Sequence, residues 1–139
     1  MLEERLKSLF GMKKQMKVGD YSSPANITIQ SSDLLIDVSE KMEKNKIRHI
    51  PVFEGDNLIG IISHSTLQLL AGFQQELTLT AKEIMTKDPY VVEYDSHLHD
   101  VLSHMMDHKI SSVLVKSSDG KYLIFTTFDA LNVLFKVTV

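Results

Sequence analysis

The sequence predicts an α+β fold in which one small unit is written twice. Three observations carry this expectation. A shift of 63 positions aligns residues 29–70 with residues 92–133 without a gap, giving nine identities over 42 positions. The hydrophobic pattern agrees nearly throughout the alignment, and self-similarity at a fixed period marks a structural repeat. Each copy also reads β-α-β-β-α from its own periodicities.

The elements follow in chain order. Residues 2–16 read as a helix, with Leu2, Leu6, Leu9 and Phe10 on one face. Short strands at residues 27–29 and 90–93 open the two copies. Each is followed by an amphipathic helix, marked by Leu34, Leu35, Val38 and Met42 in the first copy and by Leu98, Val101, Leu102 and Met105 in the second. Ser32-Asp33 and Asp95-Ser96 offer N-cap chemistry just ahead of these helices. Next come the hairpins, "RHIPVF" and "LIGIIS" around "EGDN", then "SSVLVK" and "KYLIFT" around "SSDG". Helices over residues 66–73 and 128–135 close the copies. The boundaries expected are 1–16 for the leading helix, 17–75 for the first repeat and 76–139 for the second. Units of about 55 residues are too small for a comfortable core, so the two are expected to pack face to face around a pseudo-twofold axis, leaving a cleft that helix N-termini enter.

Composition narrows the function. The chain has 139 residues, 43% hydrophobic and 24% charged, within the globular range. It has no cysteine, which removes disulfides, thiolate catalysis and cysteine-based metal sites, and fits a reducing, cytoplasmic compartment. No apolar run approaches the roughly 18 residues of a membrane span. A formal charge of −3 argues against a nucleic-acid partner. Arg5, Lys7, Lys13, Lys14 and Lys17 are diluted by Glu3 and Glu4, which makes a solvated helix face a better reading than a membrane surface. No nucleophile elbow, phosphate loop, metal motif or paired carboxylate constellation appears, so an enzyme is not expected.

The stretches "KIRHIPVFEGDNLIGIIS" and "EIMTKDPYVVEYDSHLHDVLSHMMDHKISSVLV…TTFD" resemble cystathionine-β-synthase-type (CBS) domains in tandem, the Bateman module. The likeness rests on Met-Thr-x-x-Pro opening a repeat, apolar-Pro-Val in the second strand, Gly-Ile-Ile-Ser in the third and Thr-x-x-Asp after it. It runs from about Lys17 to Leu134. It implies a regulatory module rather than a catalyst, without a cofactor, binding an adenine ligand such as AMP, ADP, ATP or S-adenosylmethionine. It also implies a homodimer and a regulated protein partner.

Thr126 and Asp129 can be read in two ways. As a capping box, Thr126 bonds the amide three residues on while Asp129 reaches back. As a ligand grip, the helix N-terminus offers free amides to a phosphate and the carboxylate accepts ribose hydroxyls. In the first repeat the equivalents are Ser63 and Thr66, so the hydroxyls remain and the carboxylate is gone. Two unequal pockets are therefore expected.

By position in the family, the better pocket takes Thr126 and Asp129 together with Asp20, Ile27 and Thr28 along the base, and Ile47 and Arg48 beside base and ribose. Arg48 suits a phosphate, being always charged and able to donate in a fork, or it is a solvated strand-end charge. The weaker site would use Ser63, Thr66, Thr86, Tyr90, Val91, Ile110 and Ser111. Leu123 stands where the family usually has Gly, and Leu114 where it often has Pro. Phe128, inside the motif, either stacks on a ligand or plugs its entrance.

His97, His104 and His108 recur along one helix beside its apolar face. An i, i+4 pair can hold zinc or copper, but no neighbouring ligand completes a set, and a partly exposed polar flank is expected instead. Leu67, Leu69, Leu70 and Phe73, with Ala130, Leu131, Leu134 and Phe135, are more apolar than one cap needs, which predicts self-association through the closing helices.

Overall fold

The computed structural model describes residues 16–72 and 78–138, with side chains through Lys136. The leading helix expected over residues 2–16 lies outside this range except for Met16, and so does Phe73.

Two four-stranded sheets and their helices form two compact units, one of them Ala25–Pro89. It contains β2 (Ile29–Gln30), α1 (Leu35–Asn45), β3 (His49–Glu54), β4 (Asn57–Ser63), α2 (His64–Leu70), α3 (Ala81–Ile84) and β5 (Thr86–Lys87). Its sheet order is β2-β3-β4-β5, with β2 parallel to β3 and the other pairs antiparallel. The other unit joins the segment ending at Pro24 to the one starting at Tyr90. It contains a 3-10 turn (Val18–Tyr21), β1 (Ser23–Pro24), β6 (Val91–Glu93), α4 (Leu98–His108), β7 (Ser112–Lys116), β8 (Tyr122–Thr126) and α5 (Thr127–Thr138). Its sheet order is β1-β8-β7-β6, with β6 parallel to β7.

The segment ahead of each repeat therefore completes the sheet of the other. Ser23 and Pro24 pair with Ile124 and Leu123, and Thr86 and Lys87 pair with Ile61 and Gly60. These pairs are equivalent under the same 63-residue shift, so the repeat extends upstream of the hydrophobic match. Residues 17–24, at the start of the first repeat in sequence, pack in the compact unit that holds the second.

The same exchange caps the long helices. Ser32-Asp33 and Asp95-Ser96 are not the N-caps. Leu34 and His97 occupy those positions, without a side-chain cap. Instead the first helical amides donate to distant carbonyls, Leu35 N–H to Leu79 O at 2.8 Å and Leu98 N–H to Met16 O at 2.8 Å. A backbone acceptor thus takes a donor that a helix end otherwise leaves orphaned. The Asp33 carboxylate accepts the Gln30 N–H at 2.9 Å, and Asp95 pairs with Lys17 at 3.2 Å.

Each unit has its own core. In the first, Ile29, Leu35, Val38, Met42, Ile50, Val52, Ile62, Leu67 and Ala81 form one buried cluster. In the second, Val18, Leu98, Val101, Met105, Val113, Val115 and Phe125 form the other. The helical periods and the apolar strand runs thus supply the buried residues, three in succession in both β3 and β7. Lys46 and Lys109 end α1 and α4 in the left-handed conformation, both with φ of 53°, at equivalent positions.

One packing exchange bears on the family comparison. In β4 a side chain at Gly60 would run into the Cβ, Cγ and sulfur of Met85. The equivalents in the second repeat are Leu123 and Ser22. Bulk has moved from the neighbouring segment into the strand, and Leu123 packs against the second core.

Candidate functional site

Thr126 is the last residue of β8 and Asp129 lies in the first turn of α5. The apolar run "YLIF" makes the strand and buries Phe125, and the helical pattern beyond Asp129 turns Ala130 and Val133 to the core. The two residues bond reciprocally. The Thr126 N–H donates to Asp129 Oδ2 at 2.8 Å and its hydroxyl donates to the same oxygen at 3.0 Å. The Asp129 N–H donates back to Thr126 Oγ1 at 3.3 Å. This is a complete capping box. It uses one carboxylate oxygen, and Oδ1 has no partner among the described residues.

A second Thr-x-x-acid pair in the chain gives a comparison. At the start of α3, Glu83 Oε1 accepts the Thr80 N–H at 3.1 Å and the Thr80 hydroxyl at 3.0 Å. A cap alone is thus well served by the longer Glu. The equivalent cap of the first repeat is neutral: Ser63 Oγ lies 3.1 Å from Thr66 Oγ1 and accepts the Thr66 N–H at 3.4 Å. The caps of the two repeats therefore differ in their hydrogen bonding, one with a carboxylate and one with hydroxyls alone.

The other candidate residues divide between the units. Ile27, Thr28, Ile47, Arg48, Ser63, Thr66 and Thr86 lie within Ala25–Pro89, whereas Asp20, Tyr90, Val91, Ile110, Ser111, Thr126 and Asp129 lie in the other unit. Ile27 and Ile47 are half-buried against the first core, and Ile110 against the second. The Thr28 carbonyl accepts Lys41 Nζ at 2.8 Å. Thr86 is exposed in β5 opposite Ile61, and Val91 opens β6. The Ser111 carbonyl accepts the Thr127 N–H at 3.0 Å and its hydroxyl at 3.3 Å.

Asp20 is engaged within its own unit. The Tyr94 hydroxyl donates to Asp20 Oδ1 at 2.6 Å, and this bond, with burial and nearby carboxylates, holds the phenol above its ordinary pKa. Gly19 makes the approach possible, because a Cβ there would strike the Tyr94 ring.

Arg48 and Ile47 line a cavity of about 600 Å³ between α1 and α2, together with Lys46, His64 and Leu67. No local pattern announces this grouping, since it depends on how α1 and α2 flank the start of β3.

Tyr90 also has an unforeseen partner. Its ring stacks on His104, with centroids 3.8 Å apart and planes at 11°. His104 stacks in turn on His108 at 4.0 Å and 20°. His97 precedes α4 as its N-cap and is not part of this stack. Two near-parallel rings cannot both hold one metal ion in their planes, and His108 Nδ1 already lies 3.0 Å from the His104 carbonyl. Stoichiometric zinc, copper or nickel is expected to leave the melting temperature unchanged. A chelator-reversible rise that His104→Ala abolishes would contradict this.

The comparisons identify the family. The CBS domain model matches residues 18–68 and 81–134, and the chain belongs to that family as a tandem pair. An uncharacterised protein of Methanocaldococcus jannaschii is 25% identical over 120 residues, covering 86% of this chain. The chain spans 40% of that relative's length. The CBS domain of a bacterial CNNM/CorC family Mg2+ transporter in complex with ATP superposes with a TM-score of 0.77 at 18% identity, covering 94% of each chain. CBSX2 from Arabidopsis thaliana in complex with AMP gives a TM-score of 0.71 at 23% identity, covering 88% of this chain and 98% of that one. Among the described residues no helix is long and apolar enough to cross a membrane.

Proposed function

We propose that the chain is a regulatory module that binds an adenine nucleotide, of the AMP, ADP, ATP or S-adenosylmethionine class, at Thr126 and Asp129. The observation that carries this reading is the half-used carboxylate. Asp129 Oδ2 is held by the cap, which fixes the side chain, while Oδ1 is left to accept a ribose hydroxyl. In the first turn of α5 the Thr127 and Asp129 amides already donate to the Ser111 carbonyl and Thr126 Oγ1, which leaves the Phe128 N–H as the donor for a phosphate. Two structurally similar CBS proteins hold AMP and ATP, which supports the ligand class.

A thermal-shift series with these ligands tests the reading. A ligand at 100 times its dissociation constant stabilises the folded state by about 2.7 kcal/mol, which shifts Tm by several degrees in a domain of this size. No shift with any of them at millimolar concentration would remove the proposal.

The alternative is a dimerisation or interaction scaffold with vestigial pockets, and one observation favours it. On α5, Phe128, Leu131, Leu134 and Phe135 are 71%, 57%, 46% and 67% exposed. Of the first-repeat residues expected on such a face, Leu69 is exposed, whereas Leu67 belongs to the core. An apolar stripe of this kind marks an interaction surface. Both readings include a homodimer through α5. Light scattering at tens of micromolar should give twice the chain mass, and a monomer there would exclude the assembly.

A further inference from the structure

Tyr90, His104 and His108 form a stack that has no counterpart in the first repeat. The Tyr90 and His104 rings lie 3.8 Å apart with planes at 11°, and His104 and His108 lie 4.0 Å apart at 20°. His104 is therefore sandwiched, half-buried, between a ring on the segment that opens β6 and a ring one turn further along α4. The outer ring is anchored, because His108 Nδ1 lies 3.0 Å from the His104 carbonyl. A carbonyl only accepts, so Nδ1 carries the hydrogen, and the bond is kept when the ring gains a second hydrogen at Nε2. Tyr90 matters to its strand. Its carbonyl accepts the Leu114 N–H at 2.9 Å and its side chain packs on the second core.

The first repeat ties helix to strand with groups that do not titrate near neutrality. Under the 63-residue shift Tyr90, His104 and His108 correspond to Ile27, Lys41 and Asn45. Asn45 Nδ2 donates to the Lys41 carbonyl at 2.8 Å, the bond that His108 makes in the second repeat. Lys41 Nζ donates to the Thr28 carbonyl at 2.8 Å and so joins α1 to the residue before β2. In the second repeat a ring stack replaces that tie. Lysine and asparagine keep one charge state through the physiological range, whereas histidine changes its own between about pH 5 and 8.

We infer that the stack is a proton-operated tie, which holds Tyr90 against α4 until both imidazoles are charged and then releases it. A single charge is tolerated, since a cation over the face of a tyrosine ring is attracted to it. Two like charges 4.0 Å apart repel. The neighbouring charged groups on α4 are Asp100, Asp107 and Lys109, the segment carrying Tyr90 adds Lys87, Asp88 and Glu93, and β7 alongside adds Lys116. Among the described residues none of them forms an ion pair with His104 or His108, and Asp100 pairs with His99 at 3.7 Å. The repulsion is therefore not offset. His108 is held by its carbonyl, so His104 is the ring that swings out, and Tyr90 loses its cover. The start of β6 loosens where the chain passes from Pro89 of one unit to Tyr90 of the other. This device does not depend on the Thr126–Asp129 reading.

The test follows the full chain, labelled with carbon-13 and nitrogen-15, by NMR from about pH 8 to about pH 5, the range over which histidine gains its charge. At the neutral end the Tyr90 and His104 rings should show mutual NOEs and ring-current shifts. At the acid end both should be lost, and the Leu114 amide should move with them. Val38 and Val52 in the first core should keep their signals, which separates release from acid unfolding. His108→Asn copies Asn45, keeps the bond to the carbonyl and removes the second charge, so Tyr90 should stay stacked at the acid end. His104→Lys copies Lys41 and should abolish the pH response of Tyr90. Tyr90 signals that stay constant over the range, release of Tyr90 in His108→Asn as complete as in the parent, or an equal Tyr90 response in His104→Lys would each overturn the inference. Loss of the Val38 and Val52 signals together with those of Tyr90 would replace it with global unfolding.

Discussion

Gly60→Leu is expected to destabilise the protein by about 1–3 kcal/mol, the usual cost of overpacking, with a matching fall in the urea midpoint. The side chain would enter space held by the Cβ, Cγ and sulfur of Met85, and the base of that side chain cannot swing away as its tip can. Gly60 also pairs with Lys87, so the strand cannot drift outwards without breaking the β4–β5 pairing. The second repeat indicates the remedy, because there Leu123 sits in the strand and Ser22 occupies the position of Met85. Met85→Ser should therefore recover part of the loss in the Gly60→Leu background, although alone it removes an apolar side chain packed against the core. A double-mutant cycle gives the coupling, and residues in direct contact typically show 0.5–3 kcal/mol. Strict additivity of the two changes would mean that the strand relaxes by some other route.

The same pair shows what the sequence discloses and what it hides. The repeats, their long helices and their hairpins were readable because α1 and α4 carry a 3.6-residue period and the strands are apolar runs bounded by turn residues, with Ile50, Pro51 and Val52 buried in succession in β3. The closing helices were readable in kind, but α2 begins at His64 rather than residue 66, and α5 runs from Thr127 to Thr138. The exchange of leading segments left no such signal. β1 and β5 have two residues each, too few for any period, and the caps of α1 and α4 are carbonyls of Leu79 and Met16, far away in sequence. Local N-cap chemistry at Asp33 therefore pointed to the wrong donor: its carboxylate serves Gln30.

The candidate site divides along the same line. Thr126 and Asp129 are three residues apart, and a pair so local can be seen in sequence with its bonding. Tyr90 on His104, Asp20 on Tyr94 and Arg48 beside His64 join residues 14, 74 and 16 positions apart, and only the folded chain shows them. Leu123 looked like a loss of family character at one position. Seen with Ser22, it is one half of a volume exchange, and the strand keeps its place in the sheet.

Asp129→Asn separates the cap from the ligand grip. The box needs Oδ2 to accept the Thr126 N–H and hydroxyl, which the carbonyl of an Asn side chain can also do. The cap should therefore lose little, about 0.5 kcal/mol of stability. A ribose bound at the other oxygen faces a larger change. With the carbonyl retained by the cap, the amide nitrogen of Asn takes the place of Oδ1, turning an ionised acceptor into a donor that a hydroxyl meets less well. Hydrogen bonds to charged groups are worth about 1.5–3 kcal/mol, so nucleotide affinity should fall at least about tenfold while Tm hardly moves. Thr66→Asp is the converse change. It places a carboxylate where the first repeat has a neutral cap of Ser63 and Thr66, and should strengthen binding there or create it. Titration calorimetry on the parent and both variants reads these effects. Equal affinity of Asp129→Asn and the parent for the best nucleotide would leave the carboxylate as a helix cap and return the module to the scaffold reading.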